Sequence, residues 1–164
     1  MSARWPVLQV MVLASSLLAL CAASWCATSA AALWQPHAFT SLSARTVYAY
    51  RQWQSIGLHL NAGDQVRLTA SGQWSYSPEV GLHGPGGALP APNYYPLPTA
   101  PGGALLGRLG ESGNIFYVGP ALTYVAPEPG FLYLRINDDL LGDNVGALRL
   151  KIEVQPAPTP PAKN

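Results

Sequence analysis

Apolar and polar residues alternate along four short segments of the chain. Residues 66–71 read VRLTAS, and residues 56–60, 131–136 and 148–154 repeat the pattern. Successive side chains of a β-strand point to opposite faces, so each segment is predicted to be a strand with one buried face. Four shorter apolar segments, each bounded by Gly, Pro or Asn, are further strand candidates: 46–50, 105–109, 115–118 and 122–125.

Together these segments predict an all-β domain, an antiparallel β-sandwich of seven to eight short strands whose apolar faces meet in one core. No segment has a helical periodicity. One connection is far longer than a hairpin loop, because Ser77–Gly103 holds seven Pro and six Gly in 27 residues. Long connections in compact domains are usually functional or disordered, and both interpretations apply to this loop.

Composition narrows the class of protein further. The chain has 164 residues, a net charge of +1, only 10% charged residues, 16 Gly and 16 Pro. Its scattered Lys and Arg residues offer no basic stripe for phosphates, so no nucleic acid is expected as a partner. The many Gly and Pro residues exclude coiled coils and long helical bundles, while 49% hydrophobic residues suffice for one core.

The N-terminal segment is predicted to be a signal peptide covering residues 1–32. A single positive residue, Arg4, precedes the apolar stretch Val7–Leu20, and small residues then offer cleavage sites after Ala30 or Ala32. The alternative is an uncleaved membrane anchor, although the stretch is shorter than the roughly 20 residues that span a bilayer. Either form places the domain outside the cytoplasm, and the cleaved form would be secreted or periplasmic without stable membrane insertion.

The rest of the chain divides into a domain and a tail. The sandwich domain is expected to cover residues 33–154, with its strands beginning near Arg45, and the Pro-rich residues 155–164 are expected to be a disordered tail. Both cysteines, Cys21 and Cys26, fall within the signal segment. The domain therefore has no disulfide and depends on its core, with or without a bound metal, for stability.

The strongest chemical feature is an acidic turn between the last two predicted strands. Residues 137–146 hold three of the eight acidic residues within six positions, together with two asparagines. Oxygen ligands at this density suit a hard cation such as Ca²⁺, because close carboxylates otherwise repel each other. The alternative is an ordinary turn, in which Asp and Asn side chains bond to nearby backbone. The turn has no Cys or His to suit zinc, and it does not match an EF-hand.

No motif for catalysis is found. The sequence has no Gly-x-Ser-x-Gly elbow, no His-Glu-x-x-His pair and no phosphate-binding loop, so the protein is not expected to be an enzyme. A carboxylate pair for glycoside cleavage, from Glu79 or Glu111 and the acidic turn, stays as a formal alternative. Trp53 and Trp74 adjoin predicted strands and are expected to pack in or beside the core.

Six segments together carry a resemblance to a known family. They are AGDQV at 62–66, ASGQWSY at 70–76, GPGG at 84–87, GALLGRLG at 103–110, LYLRIND at 132–138 and GDNVG at 142–146. Because they occur in order and with compatible spacing, the chain resembles the LecA/PA-IL family of bacterial calcium-dependent galactose-binding lectins. The resemblance implies a jelly-roll or galactose-binding-like sandwich in a secreted bacterial protein.

The same resemblance implies one Ca²⁺ at the end of the sandwich. Its ligands would be the carbonyl of Tyr76, the carboxylate of Asp138, the side chains of Asp143 and Asn144, and a loop carbonyl near Leu140 or Leu141. Where the family has an amide, Asp143 supplies a carboxylate, and the added negative charge favours calcium.

The calcium ion would then bridge the protein to a carbohydrate, a galactose-like saccharide or glycan. Two vicinal sugar hydroxyls would complete its shell, and Asp138 and Asn144 would also bond to the sugar. The family's His and Gln contacts from the long loop are missing here, and Asn93, Tyr94 or Tyr95 would replace them. The alternative is a non-lectin sandwich with structural calcium, acting in adhesion, envelope structure or assembly. The sequence is also compatible with a homo-oligomer.

Overall fold

The computed structural model describes residues 38–158 of the chain. Within this range every regular element is a β-strand, and there is no helix. The strands are β1 Thr40–Tyr48, β2 Gln54–Leu60, β3 Gln65–Ser75, β4 Leu105–Leu109, β5 Ile115–Tyr117, β6 Ala121–Val125, β7 Gly130–Ile136 and β8 Val145–Gln155. The prediction of an all-β domain is confirmed.

The strands form two four-stranded antiparallel sheets. Sheet 1 has the strand order β1-β8-β3-β6, and sheet 2 has the order β2-β7-β4-β5. Their apolar faces meet in one core, as the alternation along the chain requires. The predicted antiparallel sandwich is therefore confirmed, and all eight strand candidates belong to it.

The core contains the alternate residues that the sequence pattern indicates. In β3, Val66 and Leu68 are completely buried, whereas the residues that follow each of them are exposed. Trp74, near the end of the same strand, is also completely buried and donates its indole N–H to the carbonyl of Gly103 at 2.8 Å. The expected packing role of Trp74 is confirmed, and its hydrogen bond fastens the long loop to the sandwich.

The first and last strands extend further than the alternation indicated. β1 begins at Thr40, in a segment predicted to precede the strands, and β8 includes Gln155, which was assigned to the tail. The first seven residues of β1 are all exposed. With no buried face, nothing requires polar and apolar residues to alternate there.

Two predicted segments lie wholly or partly outside the described residues: the signal peptide at 1–32, and 159–164 of the tail. Residues 156–158 follow β8, and Ala157 donates its backbone N–H to the carboxylate of Asp64 at 2.9 Å. Among residues 38–158, no helix is long and apolar enough to cross a membrane.

Gly146 allows β8 to approach β3 closely beside the acidic turn. Its φ is 91°, a left-handed value that favours glycine, and a Cβ atom there would lie 2.8 Å from the carbonyl oxygen of Gln73. The carbonyl of Gly146 accepts the backbone N–H of Ala49 at 3.1 Å. Strands β1, β8 and β3 are thereby held together at this end of sheet 1.

Asp64 links the turn after β2 to the residues after β8. Its carboxylate accepts the backbone N–H of Asn61 at 2.8 Å and that of Ala157 at 2.9 Å, and only 7% of the residue is exposed. These two hydrogen bonds lower the pKa of Asp64 below its usual 3.8. The charged carboxylate therefore stabilises the folded state.

Replacing Asp64 with Asn is expected to lower the free energy of unfolding by about 2 kcal/mol at neutral pH, because charge-assisted hydrogen bonds are lost. The folded-state pKa is lowered, so this stabilisation is complete above the ordinary pKa of Asp and disappears as the pH falls through the folded-state value. Urea unfolding curves of the two proteins should converge at acidic pH. The exposed Glu111→Gln serves as the control, and equal losses for both variants would contradict the prediction.

Candidate functional site

The pairing of β3 with β8 brings two of the predicted site residues together. The last paired residues are Ser75 and Val145, and the next residues outward are Tyr76 and Asn144. Their backbones therefore lie side by side where the acidic turn enters β8. The end of β1 closes the same corner, because Asn144 donates a side-chain N–H to the carbonyl of Ala49 at 3.2 Å.

Asp138 and Asn144 are buried near the two ends of the acidic turn, with exposed fractions of 2% and 4%. Within the described residues, Oδ2 of Asp138 and Oδ1 of Asn144 are shielded from solvent and have no hydrogen-bond partner. Buried acceptors without partners are rare, and an unpaired carboxylate oxygen is especially costly. Two such oxygens on neighbouring side chains fit a hard cation such as Ca²⁺, which oxygen ligands coordinate directly.

The surroundings of Asp138 oppose its negative charge. Burial raises the pKa of Asp138 above its usual 3.8, and the nearby charge of Asp139 adds to the rise. The hydroxyl of Tyr95 and the amide of Asn144 face the carboxyl group and partly offset the effect of burial. A cation between these side chains would favour the charged carboxylate.

Arg135 holds the backbone of Asp138 in place. Its guanidinium donates an Nη2–H to the carbonyl of Asp138, the Nε–H to the carbonyl of Ile136 at 3.0 Å, and an Nη1–H to the side chain of Gln52 at 3.1 Å. Only 7% of Arg135 is exposed, and burial lowers its pKa. These bonds fix the end of β7 without occupying the carboxylate of Asp138.

Asn137 ties the long loop to the acidic turn. It is completely buried, and its Nδ2 lies 2.9 Å from the carbonyl oxygen of Leu97, 3.1 Å from that of Ala100 and 3.0 Å from that of Pro101. Its Oδ1 accepts the backbone N–H of Leu97 at 3.1 Å, and its own carbonyl accepts that of Gly103 at 2.8 Å. One side chain therefore sets the position of the final segment of the loop.

Tyr95 is the loop residue that lies beside Asp138. Its ring contacts Tyr76 at a centroid distance of 6.3 Å and Tyr94 at 5.5 Å. Burial and the neighbouring carboxyl group of Asp138 raise the pKa of Tyr95, so the phenol keeps its proton. Asn93 is exposed and Tyr94 is 70% exposed at the loop tip, and no described contact joins either to Asp138.

The ring of Tyr76 lies beneath the long loop. Only 8% of the residue is exposed, and its ring makes an edge contact with His83 at 5.3 Å. A Cβ atom on Gly102 would lie 3.1 Å from the Tyr76 ring, so the small residue permits the close approach. Tyr76, which the sequence marked only for its carbonyl, thus also supports the loop.

The carboxylates of the acidic turn do not form the single cluster that the sequence indicated. Asp138 is buried, but Asp139 and Asp143 are exposed. In the part of the chain that the structure describes, no group of three or more His, Cys, Asp and Glu side chains could hold a metal ion. Asp138 and Asp139 are consecutive after a strand, so their side chains take different directions. A cation here would have only one buried carboxylate as a ligand, and its other protein ligands would be amide and backbone oxygens and the exposed carboxylate of Asp143.

Two residues of this corner were assigned no role from the sequence. Arg135 occupied an outward position in an alternating strand, and Asn137 was one member of the acidic turn. The available signals for Asn137 were its position directly after a buried strand and the many prolines of the long loop, because prolines have no N–H and the carbonyl groups of such a loop need donors from elsewhere. Arg135 gave no comparable signal.

Comparisons with known proteins support a lectin-like fold. No family profile and no curated protein matches the chain. A similar solved structure is the N-terminal domain of EclA, described as a PllA-like lectin, with 25% sequence identity and a TM-score of 0.54. The similarity covers 70% of this chain and 96% of the EclA domain. The chain thus has a fold similar to that of a lectin domain, while membership of the LecA/PA-IL family stays a prediction.

Proposed function

We propose that the domain binds a carbohydrate through a calcium ion held at the acidic turn. The observation that carries the proposal is the pair of buried oxygens without partners on Asp138 and Asn144. The similarity to a lectin domain supports the carbohydrate part of the proposal. The domain would act outside the cytoplasm, as a secreted or periplasmic protein, on the basis of the predicted signal peptide.

Four residues would hold the ion. Asp138 and Asn144 would contribute side-chain oxygens, Tyr76 its backbone carbonyl, and Asp143 its exposed carboxylate. Calcium takes roughly six to eight oxygens, so these ligands leave positions for others. Bound there, calcium would supply coordination for two vicinal hydroxyls of a galactose-like saccharide.

The polar groups around the corner would orient the saccharide. Asp138 would accept a hydrogen bond from a sugar hydroxyl, and the phenol oxygen of Tyr95, whose single O–H faces Asp138, would accept another. Asn93 and Tyr94 are exposed at the loop tip and are therefore available to contact a ligand from above the corner. Such a site binds one saccharide weakly and selectively, because water competes for each contact.

Calorimetric titration with galactose tests the proposal directly. Binding is expected in calcium and is expected to disappear after chelation with EDTA. Asp139→Asn should retain it, since Asp139 is exposed and is not one of the proposed ligands. If a folded protein that binds calcium binds no saccharide on a glycan array, the proposal is wrong, and calcium would then serve to order the loops for adhesion, envelope structure or assembly.

A further inference from the structure

Two arginines lie next to each other on the outer face of sheet 2. Arg108 of β4 is paired across the sheet with Tyr133 of β7, and Arg135 lies two residues further along β7 on the same face. The alternate residues, such as Leu109 and Leu134, are buried in the core on the other face. Two positive charges are thus close together on one side of the sheet.

Trp53 lies against both guanidinium groups. Its ring centroid is 4.4 Å from Cζ of Arg108 and 5.5 Å from Cζ of Arg135, while the ring of Tyr133 is 5.5 Å from Cζ of Arg108. Trp53 also packs against a small apolar cluster formed by Ala100, Ala104 and Leu106. Aromatic faces attract a cation, but they leave the in-plane N–H donors of a guanidinium without acceptors.

The two arginines differ in their hydrogen bonds. Arg135 makes three, whereas Arg108 makes none within residues 38–158, and its Nε is shielded from solvent without a partner. The ion pairs in that range involve Arg67 and Lys151 with Glu153, so neither Arg108 nor Arg135 is in an ion pair with a carboxylate. Arg108 therefore has an unmet donor and an unmet charge.

We propose that Arg108 and Trp53 form a second saccharide subsite, which takes the carboxylate of an acidic sugar such as a uronate. The proposal rests on the proposed function, because it assigns a ligand class to the same carbohydrate-binding domain. The subsite lies on the outer face of sheet 2 and does not use the calcium ligands.

A sugar carboxylate would supply the countercharge that Arg108 lacks. A guanidinium binds a carboxylate through two parallel N–H···O bonds, and here the terminal Nη1 and Nη2 groups would supply them, because Nε is shielded from solvent. Trp53 and Tyr133 flank the guanidinium and are partly exposed, so they would contact the C–H face of the ring that carries the carboxylate. A neutral sugar brings no countercharge, and a simple anion leaves the aromatic side chains uncovered.

The test is a titration of the purified protein in EDTA, followed through the indole N–H signal of Trp53 in two-dimensional NMR spectra. Sodium galacturonate is expected to shift this signal, whereas galactose or sodium acetate at equal ionic strength is not. Arg108→Gln should weaken galacturonate binding by about tenfold or more. Arg149→Gln, which removes an exposed arginine from sheet 1, is the matched control and should not.

Arg108→Lys keeps the charge and loses the planar fork, so it should also weaken binding and provides the test if Arg108→Gln does not fold. Equal binding by Arg108→Gln and Arg149→Gln, or no shift with galacturonate, would overturn the proposal, and an equal response to acetate would overturn the saccharide assignment.

Asp138→Asn separates the two sites: it should lose calcium-dependent galactose binding and keep the response to galacturonate. Arg108→Gln should do the opposite.

Discussion

The Asp138→Asn variant is expected to be more stable than the natural protein in EDTA and less stable than the natural protein in calcium. In EDTA the variant should melt roughly 4 °C above the natural protein, which corresponds to about 1 kcal/mol. Burial raises the pKa of Asp138, so the folded state binds a proton more tightly than the unfolded chain, and the charged form costs stability at neutral pH. Asn keeps the shape of the side chain and removes that charge.

In calcium the order should be the opposite. At a hundredfold excess over the Kd, a bound ion stabilises the natural protein by about 2.7 kcal/mol, and Asp138→Asn should lose most of this gain because it lacks the buried carboxylate. Thermal unfolding followed by circular dichroism, with EDTA and with millimolar calcium, measures both effects. Asp139→Asn is the matched control, since Asp139 is adjacent but exposed. If calcium raises the melting temperature of the natural protein and of Asp138→Asn equally, Asp138 is not a ligand of the metal.

The strands could be predicted because their signal is local. Each buried face repeats every second residue, and this period is visible in β3 and β8 without knowledge of their partners. The first part of β1 escaped prediction for the same reason, since it is exposed on both faces and nothing there selects apolar residues. The pairing order of the sheets depends on contacts between distant segments, which alternation alone does not encode.

The candidate site could be predicted only in part. The sequence placed Tyr76, Asp138 and Asn144 in one site, and the structure brings them to one corner. It did not reveal which carboxylates of the turn are buried, because that depends on the direction in which the chain leaves β7. Asp138 turns inward, whereas Asp139 and Asp143 are exposed.

The order within the long loop was the least predictable feature. Its many Pro and Gly residues fit a functional or a disordered segment equally well. In the structure, Asn137 forms hydrogen bonds with loop residues about 40 positions away in sequence, and these bonds hold the end of the loop in an ordered position. A contact of this range depends on the completed sandwich, and no local pattern records it.

Asn137→Ala is expected to be the most destabilising of the substitutions considered. Among the described residues it leaves the N–H of Leu97 and the carbonyl of Ala100 without a partner, while the carbonyls of Leu97 and Pro101 lose one of two donors and keep a backbone hydrogen bond. Buried groups without partners cost about 1–3 kcal/mol each, and water entering the loosened loop recovers part of the loss. A decrease of roughly 3 kcal/mol in the free energy of unfolding is therefore expected in urea titrations.

The loop should also come free of the sandwich in this variant. Limited proteolysis should cut Asn137→Ala between residues 88 and 102 while the natural protein resists, because the order of that segment depends on the amide of Asn137. Tyr95 would then leave Asp138, so saccharide binding should weaken more than the calcium response, which depends on ligands outside the loop tip. Asn93→Ala makes the same change at the exposed tip and should alter neither stability nor proteolysis. Similar behaviour of the two variants would show that Asn137 does not hold the loop.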